Sequence, residues 1–313
     1  MFELNKVLVV TDANLFHGPG LTQASALCKR GGAKLTIGLF DQHPRLGVMG
    51  LMNPPQSLMI EQQMAAQAEG CLEDLRRSVS QNEGIPADAL VQWEQAASEA
   101  ILKNVIDGGF DLIIKDMDPP SRLHRMFYTP TDWELLRRSP VPIWLAGKSR
   151  PRLPKKIMAC VDPMHDQHGA GVLNTHLIQV AQATARLCDS GLQLFSVFSG
   201  LPPLLTAGHY PIPVSGASLS ELYEDIRLLH RSQMEKLAAS ADIGDQDIKL
   251  GYGNPVDKIV EAVEEHGVEL LVLGTMHRRG MDRMLIGSTA ERVLGRINCD
   301  VLAVGPPPGA GVG

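Results

Sequence analysis

The chain has 313 residues, of which 44% are hydrophobic, so it is long and apolar enough to bury the cores of two domains. A formal net charge of −6 and an aromatic content of 4% exclude a general attraction to nucleic acid and disfavour a base-stacking surface. The five cysteines are scattered without CxxC spacing, which argues against a disulfide framework and against a structural zinc site.

Two further features predict the cellular location. The N-terminus lacks the basic and then apolar layout of a secretory signal. No apolar run reaches the length of about 18 residues that a membrane-spanning helix needs. Together with the scattered cysteines, these features predict a cytoplasmic protein without a membrane span.

The first half of the chain alternates apolar runs with helix-like segments. The apolar runs cover 7–12, 35–40, 112–114 and 140–147. Continuous apolar runs of this length are typical of strands that are covered on both faces, as in parallel sheets. The alternation therefore predicts βαβ units with right-handed crossovers.

The second half repeats this pattern, with apolar runs over 157–162, 192–197, 270–272 and 298–305. An offset of 158 residues aligns the ends of the two halves, since it places Gly147 on Gly305 (305 − 147 = 158). A helix with one buried face is indicated in the second half by the spacing of four residues: Val256, Ile259, Val260 and Val263.

The repeat predicts the fold class and the domain organisation. We expect an α/β protein with two tandem domains, each an open, mostly parallel five-stranded sheet with helices on both faces. The domains are predicted at 1–148 and 153–307, because the glycine, prolines and charges around 147–154 suit an exposed linker. Long apolar loops over 41–55 and 200–213 either cover a neighbouring surface or line a ligand.

A glycine-containing loop follows the predicted strand near the C-terminus. Gly274 ends the strand-like run, and Gly287 stands directly before Ser288 and Thr289 at a predicted helix start. Glycines let a backbone approach a ligand, and a helix N-terminus offers unpaired N–H groups to an anion. The arrangement predicts a phosphate site, although the spacing is neither a P-loop nor a GxGxxG fingerprint. A glycine-rich connection that binds nothing is the alternative.

The spacing of Gly274, Gly287 and Ser288 resembles the motif of the universal stress protein family: Gly, two residues, Gly, nine residues, Gly, then Ser or Thr. The resemblance covers nearly the whole chain as two copies of a unit of about 150 residues. It implies Rossmann-like domains of the adenine nucleotide alpha hydrolase type. Some members of this family bind ATP in the glycine loop, with the aspartate after the first strand near the nucleoside, and others do not bind it.

The resemblance implies an ATP-like nucleotide in the second domain, with Mg²⁺ if ATP is bound. The residues that it assigns to this ligand are Val161, Asp162, Gly274, His277, Gly280, Gly287, Ser288 and Thr289. His277 departs from the motif, because it stands where the family has its second glycine. Its side chain either hinders the phosphates or, with the neighbouring arginines, adds donors to an anionic ligand.

Plainer roles are open for several of these residues. Asp162 either accepts from a sugar hydroxyl or caps a turn. Ser288 also begins an S-x-x-E capping box that ends at Glu291. His165 and His168 have the spacing of metal ligands, but no third ligand is placed with them, so we expect no metal site.

The first half has lost the glycine motif. With the offset of 158, Asp116 stands opposite Gly274 and Thr129 stands opposite Gly287. Asp116 and Asp118 bring negative charge to the place where phosphates would lie, which opposes ATP binding. A T-x-x-E capping box from Thr131 still predicts the helix start. We therefore expect no nucleotide in the first half by the usual mode.

Three functions follow from these patterns. The first is a cytoplasmic stress-response protein whose second domain binds a regulatory nucleotide or another small anionic ligand. The second is a scaffold, or a protein that binds an apolar or sugar-linked molecule, built as an intramolecular pseudo-dimer. The third is an enzyme, which the absence of an SGGxDS-type loop, an HxGH motif and a Walker lysine disfavours. Without an evident general base, we expect slow ATP hydrolysis at most. A homodimer through the apolar last strands is open.

Overall fold

A computed structural model of the chain separates it into two compact units, Glu3–Leu153 and Pro154–Gly313. The residues that the structure describes are 2–11, 18–41, 54–93, 96–117, 128–147, 152–164, 170–199, 216–275 and 286–307.

The first unit contains five parallel strands and four helices among the described residues. Its strands are β1 (Lys6–Thr11), β2 (Lys34–Asp41), β3 (Ala87–Trp93), β4 (Leu112–Asp116) and β5 (Ile143–Ala146). Its helices are α1 (Pro19–Gly31), α2 (Pro54–Glu83), α3 (Ala97–Gly108) and α4 (Pro130–Arg138). The strand order in the sheet is β3-β2-β1-β4-β5, so the chain reverses its direction of travel across the sheet between β3 and β4.

The second unit has the same plan. Its strands are β6 (Lys156–Cys160), β7 (Gly191–Phe198), β8 (Ile248–Tyr252), β9 (Leu270–Gly274) and β10 (Asp300–Val304). Its helices are α5 (Ala170–Cys188), α6 (Gly216–Ala239), α7 (Pro255–Glu265) and α8 (Ser288–Leu294). The strand order is β10-β9-β6-β7-β8, and every pair of neighbours is parallel.

The burial of the strands explains why the apolar runs are continuous rather than alternating. In β1 every residue from Val7 to Thr11 is buried, and in β10 every residue is buried. Side chains alternate between the two faces of a strand, so both faces of each sheet are covered. The predicted α/β fold with two five-stranded parallel sheets is confirmed. No described helix is both long and apolar enough to cross a membrane.

Helix α7 shows how the sequence places an element. Asn254 caps its start by accepting from the N–H groups of Val256 and Asp257, and Pro255 occupies the first helical position. The predicted apolar face is buried against the sheet: Val256, Ile259, Val260 and Val263.

The strand registers show which residues of the two units are equivalent. In the first unit Lys6 of β1 pairs with Lys34 of β2, and in the second unit Lys156 of β6 pairs with Gly191 of β7. Lys156 is thus the equivalent of Lys6, and Gly191 is the equivalent of Lys34. The offset is therefore 150 residues for the first strand of each unit and 157 for the second. From α3 and α7 onward the predicted offset of 158 holds, because these helices begin at 97 and 255, and α4 and α8 begin at 130 and 288.

The start of α4 differs from the sequence prediction. The capping residue is Thr129, not Thr131: its hydroxyl accepts from the N–H of Asp132, and the Asp132 carboxylate accepts from the N–H of Thr129. The physical reason is Pro130, which suits the first helical position and keeps the preceding residue extended. The helix therefore begins two residues earlier than the T-x-x-E pattern predicts.

This capping arrangement predicts a difference between two neighbouring threonines. Thr129→Ala should lower the free energy of unfolding of the first unit by about 1 kcal/mol, because it removes a helix cap. Thr131→Ala should change it by no more than about 0.5 kcal/mol. The chain has three tryptophans, at 93, 133 and 144, so tryptophan fluorescence during urea unfolding reports on the first unit alone. Equal losses for the two variants would contradict the assignment.

Candidate functional site

The second unit contains a cavity of roughly 570 Å³ at the carboxyl ends of its strands. This is the edge at which open α/β sheets bind ligands. Most of its lining is apolar, with a few polar groups: Cys160, Val161, Asp162, Leu173, Asn174, Leu177, Phe195, Ser196, Val197, Pro255, Ile259, Leu273, Gly274, Ile286, Gly287, Ser288, Thr289 and Ala290. Six of the eight residues implied by the resemblance therefore lie together here. The other two, His277 and Gly280, lie outside the described residues.

The loop after β6 is fixed by Asn174 of α5. The Asn174 amide donates to the carbonyl of Asp162 at 2.8 Å, and its oxygen accepts from the N–H of Asp162 at 3.3 Å. The Asp162 carboxylate accepts from the N–H of Met164 at 3.2 Å, which is the turn-capping role. Its side chain is nevertheless exposed at the rim of the cavity. Within the described lining, Asp162 is the residue with a formal charge.

The two described glycines of the motif lie on the opposite wall. Gly287 has φ 108°, a backbone conformation that glycine adopts readily and L-residues avoid. At Gly274 a Cβ atom would come within 3.2 Å of the Leu173 side chain, so a larger residue would push on α5. Both positions therefore have structural reasons to be glycine.

The predicted S-x-x-E capping box of α8 is wrong. The helix begins at Ser288 itself, and its capping residue is Gly287, which makes no side-chain cap. The positive φ of Gly287 places the capping position one residue before the serine. Ser288 and Thr289 are both exposed, and their hydroxyls stand at the cavity wall rather than in a cap.

A buried hydrogen bond beneath the cavity was not predicted from the sequence. Ser196 of β7, a lining residue, has its Oγ 3.0 Å from Nε2 of His230 in α6. Burial lowers the pKa of His230 below its ordinary value, and the nearby Asp162 carboxylate opposes this shift. The two residues are 34 positions apart in the sequence. The one feature of the sequence that could have indicated this pair is the serine within the apolar run 192–197.

At the carboxyl edge of the first unit, the described residues include two buried carboxylates that are held by the unit's own groups. The carboxylate of Asp116, which is buried, accepts from the N–H of Gly20 at 2.7 Å at the start of α1. A Cβ atom at Gly18 would lie 1.7 Å from the same carboxylate, which shows how closely the chain approaches it. Nearby, Lys115 forms an ion pair of 3.0 Å with the fully buried Asp132. Asp118 lies outside the described residues.

Comparisons with known proteins agree with this architecture. The model of the universal stress protein family matches residues 3–146 and 155–305. The chain is 28% identical over 308 residues to Universal stress protein E of Escherichia coli K12, covering 96% of this chain and 93% of that protein.

Two solved structures share the fold. One is a functionally unknown protein from Pseudomonas aeruginosa PAO1, with a TM-score of 0.71, 23% identity, and coverage of 97% of this chain and 93% of that chain. The other is a universal stress protein from Archaeoglobus fulgidus, with a TM-score of 0.62, 16% identity and coverage of 98% of each chain. Since the family model matches both units over almost their whole length, the chain belongs to the universal stress protein family.

Proposed function

We propose that the second unit binds an ATP-like nucleotide as a regulatory ligand, with Mg²⁺ when the ligand is ATP. The observation that carries the proposal is the cavity at the carboxyl edge, where Asp162 and the wall formed by Gly274, Gly287 and Ser288 meet. A cavity of this size suits a ligand of a few rings, since small-molecule pockets range from about 300 to 1,000 Å³.

The polarity of the cavity supports this ligand class. The wall at Gly287–Thr289 offers two exposed hydroxyls and the backbone of a glycine, which are groups that suit phosphate oxygens. On the other side, Asp162 is an acceptor for a sugar hydroxyl. The apolar floor suits a planar base. In this proposal His277 and the arginines after it add cationic donors to the phosphates.

We infer that the first unit does not bind a nucleotide by this mode. Asp116 occupies the position of Gly274, and its carboxylate already accepts from the backbone N–H of Gly20, a donor in the first turn of α1. A phosphate placed beside this buried carboxylate would be repelled strongly in a medium of low dielectric. The chain thus has one regulatory site rather than two.

A scaffold or apolar-ligand function is the alternative, and the surface of α2 favours it. Near its start, four apolar side chains are more than two-fifths exposed: Leu58, Met59, Ile60 and Met64. Exposed apolar patches commonly mark contacts with partners. This function was expected from the loops of 41–55 and 200–213; the first is described only at 41, 54 and 55, and the second lies outside the described residues. Self-association through the last strands stays a prediction.

The nucleotide proposal predicts that a negative charge at Thr289 weakens Mg-ATP binding. Thr289→Glu should raise the Kd at least tenfold, or by about 1.4 kcal/mol, because the carboxylate would face the phosphates. Titration calorimetry measures this Kd. The unmodified chain should also gain about 2.7 kcal/mol of stability when Mg-ATP is at a hundredfold excess over Kd.

The matched control is Thr131→Glu, at the equivalent second position of α4 in the first unit. Both variants add an acid to the first turn of a helix, where the helix dipole favours it, so neither should impair folding. Unchanged binding by Thr289→Glu would contradict the site, and a loss with Thr131→Glu would place the ligand in the first unit.

A second prediction concerns stoichiometry. Native mass spectrometry with Mg-ATP in excess should show one nucleotide per chain, because the buried Asp116 carboxylate of the first unit would repel phosphates. Two nucleotides per chain would contradict this reasoning. An apolar or sugar-linked molecule that copurifies with the protein, together with no response to Mg-ATP, would support the alternative function.

A further inference from the structure

The buried pair of Ser196 and His230 stands in a setting where the fold needs no polar group. Ser196 is 2% exposed and His230 is 6% exposed. Apolar side chains surround the pair in β7, where Leu194, Phe195 and Phe198 are buried. A hydrogen bond satisfies both groups, but apolar packing would fill such a core position without this requirement.

In the first unit, the position equivalent to Ser196 has an apolar side chain. Lys34 of β2 and Gly191 of β7 are equivalent by strand register. The residue five positions after each of them is Leu39 in the first unit and Ser196 in the second, so these two are equivalent as well. Leu39 is fully buried. In the equivalent helix, α2, Ser57 is buried near the start, and the buried residues farther along are apolar: Ala65, Leu72, Leu75 and Val79. At this strand position the first unit therefore has a buried aliphatic side chain, whereas the second unit has the serine that is hydrogen-bonded to His230.

The pair is also joined to the cavity. Ser196 lines it, and the Asp162 carboxylate at the rim acts electrostatically on the His230 imidazole. In the sheet, β6 separates β7 from β9, so Ser196 lies two strand spacings, or about 10 Å, from the Gly274 wall. A nucleotide whose phosphates contact that wall would therefore have its uncharged base near Ser196.

We propose that His230 is a positioning residue that sets the hydrogen-bonding polarity of the Ser196 hydroxyl toward the base of the bound ligand. The inference rests on the proposed nucleotide function. It adds that the Ser196 hydroxyl distinguishes between bases of the nucleotide.

The chemistry follows from the two nitrogens of imidazole. In the neutral state that we assign, Nε2 accepts a hydrogen bond from the Ser196 O–H, and Oγ is left as an acceptor toward the cavity. A base with an amino donor is then favoured. When the imidazole is protonated, Nε2–H donates to Oγ, and the Ser196 O–H turns to the ligand as a donor. A base with a carbonyl acceptor is then favoured.

The surroundings of His230 define the pH range of this change. Of the described groups, Asp162 after β6 is the charged one that acts on the imidazole. The Phe198 ring of β7 packs 5.6 Å from it, and Phe198 in turn contacts Tyr223 of α6 and Tyr252 of β8. Arg231, next to His230 in α6, is turned away to Glu235. Burial lowers the pKa of His230, so the neutral state prevails at neutral pH and is lost in mildly acidic solution.

The test is the ratio of the affinities for Mg-ATP and Mg-ITP, measured by calorimetry from pH 7.5 down to about 5.5. Adenine has an amino donor where hypoxanthine has a carbonyl acceptor. The triphosphate is identical in both, so its own titration cancels in the ratio. We expect ATP to bind about tenfold more tightly at pH 7.5, and the ratio to fall at least about threefold at the acidic end.

Three variants separate positioning from a structural role. His230→Gln should make the ratio independent of pH, and Ser196→Ala should abolish both the preference and its pH dependence. His176→Gln is the control, because His176 is another histidine of the second unit whose pKa is lowered by burial, but it does not line the cavity. It should retain the pattern of the unmodified chain. If the His230→Gln variant does not fold, the smaller change Ser196→Ala still tests whether the pair sets the preference for ATP.

The outcomes also distinguish this inference from the proposed function. If both nucleotides bind with a ratio that does not depend on pH, or if Ser196→Ala keeps the original ratio, the role of His230 is refuted and nucleotide binding stands. If neither nucleotide binds at any pH, both proposals are refuted together.

Discussion

The parallel register of the strands is the constraint on which the rest of the structure depends. Because all strands of a unit run in one direction, their carboxyl ends meet at one edge, and every loop that follows a strand contributes to the same small region. In the second unit this brings the loop after β6 next to the loop after β9, so that Asp162 and Gly274 line one cavity although 112 residues separate them (274 − 162 = 112).

The same constraint explains how one fold has two different edges. The register places Asp116 at the end of β4, where Gly274 ends β9. A carboxylate at this place accepts from the backbone of α1, whereas a glycine lets the end of β9 lie close to Leu173 of α5. The described parts of the two edges thus differ in a few side chains, while the strand order and the helix positions are shared.

The sequence predicted the parts of the structure that depend on local pattern. Continuous apolar runs identified the buried strands, and the spacing of Val256 and Val263 identified the buried face of α7. The strands β3 and β8 at the sheet edges were missed, since most of their residues are only partly buried and their apolar pattern is weak. The helix starts were displaced by one or two residues, because Pro130 and the positive φ of Gly287 override the capping pattern.

What local pattern could not predict is the contact between distant residues. The turn at Asp162 depends on Asn174 in the next helix. The hydrogen bond between Ser196 and His230 joins a strand to a helix, and Ser196 stands inside an apolar run that gives no sign of a polar partner. Such pairs become visible when the two units are superposed by strand register, because Leu39 then marks the position as one that an aliphatic side chain can fill.

This comparison also bears on stability. In the first unit the buried Leu39 side chain, the Asp116 bond and the Lys115–Asp132 pair stabilise the carboxyl edge. In the second unit, a cavity and a buried polar pair stand at the same edge, and each of them costs packing or desolvation free energy. Such a concentration of unfavourable features is common at binding sites, where a ligand recovers the lost contacts. The internal repeat therefore contains its own reference: Leu39 and Asp116 of the first unit show side chains that the fold accepts at this edge, and the departures from them in the second unit, Ser196 and Gly274, mark residues on which the proposed ligand would depend.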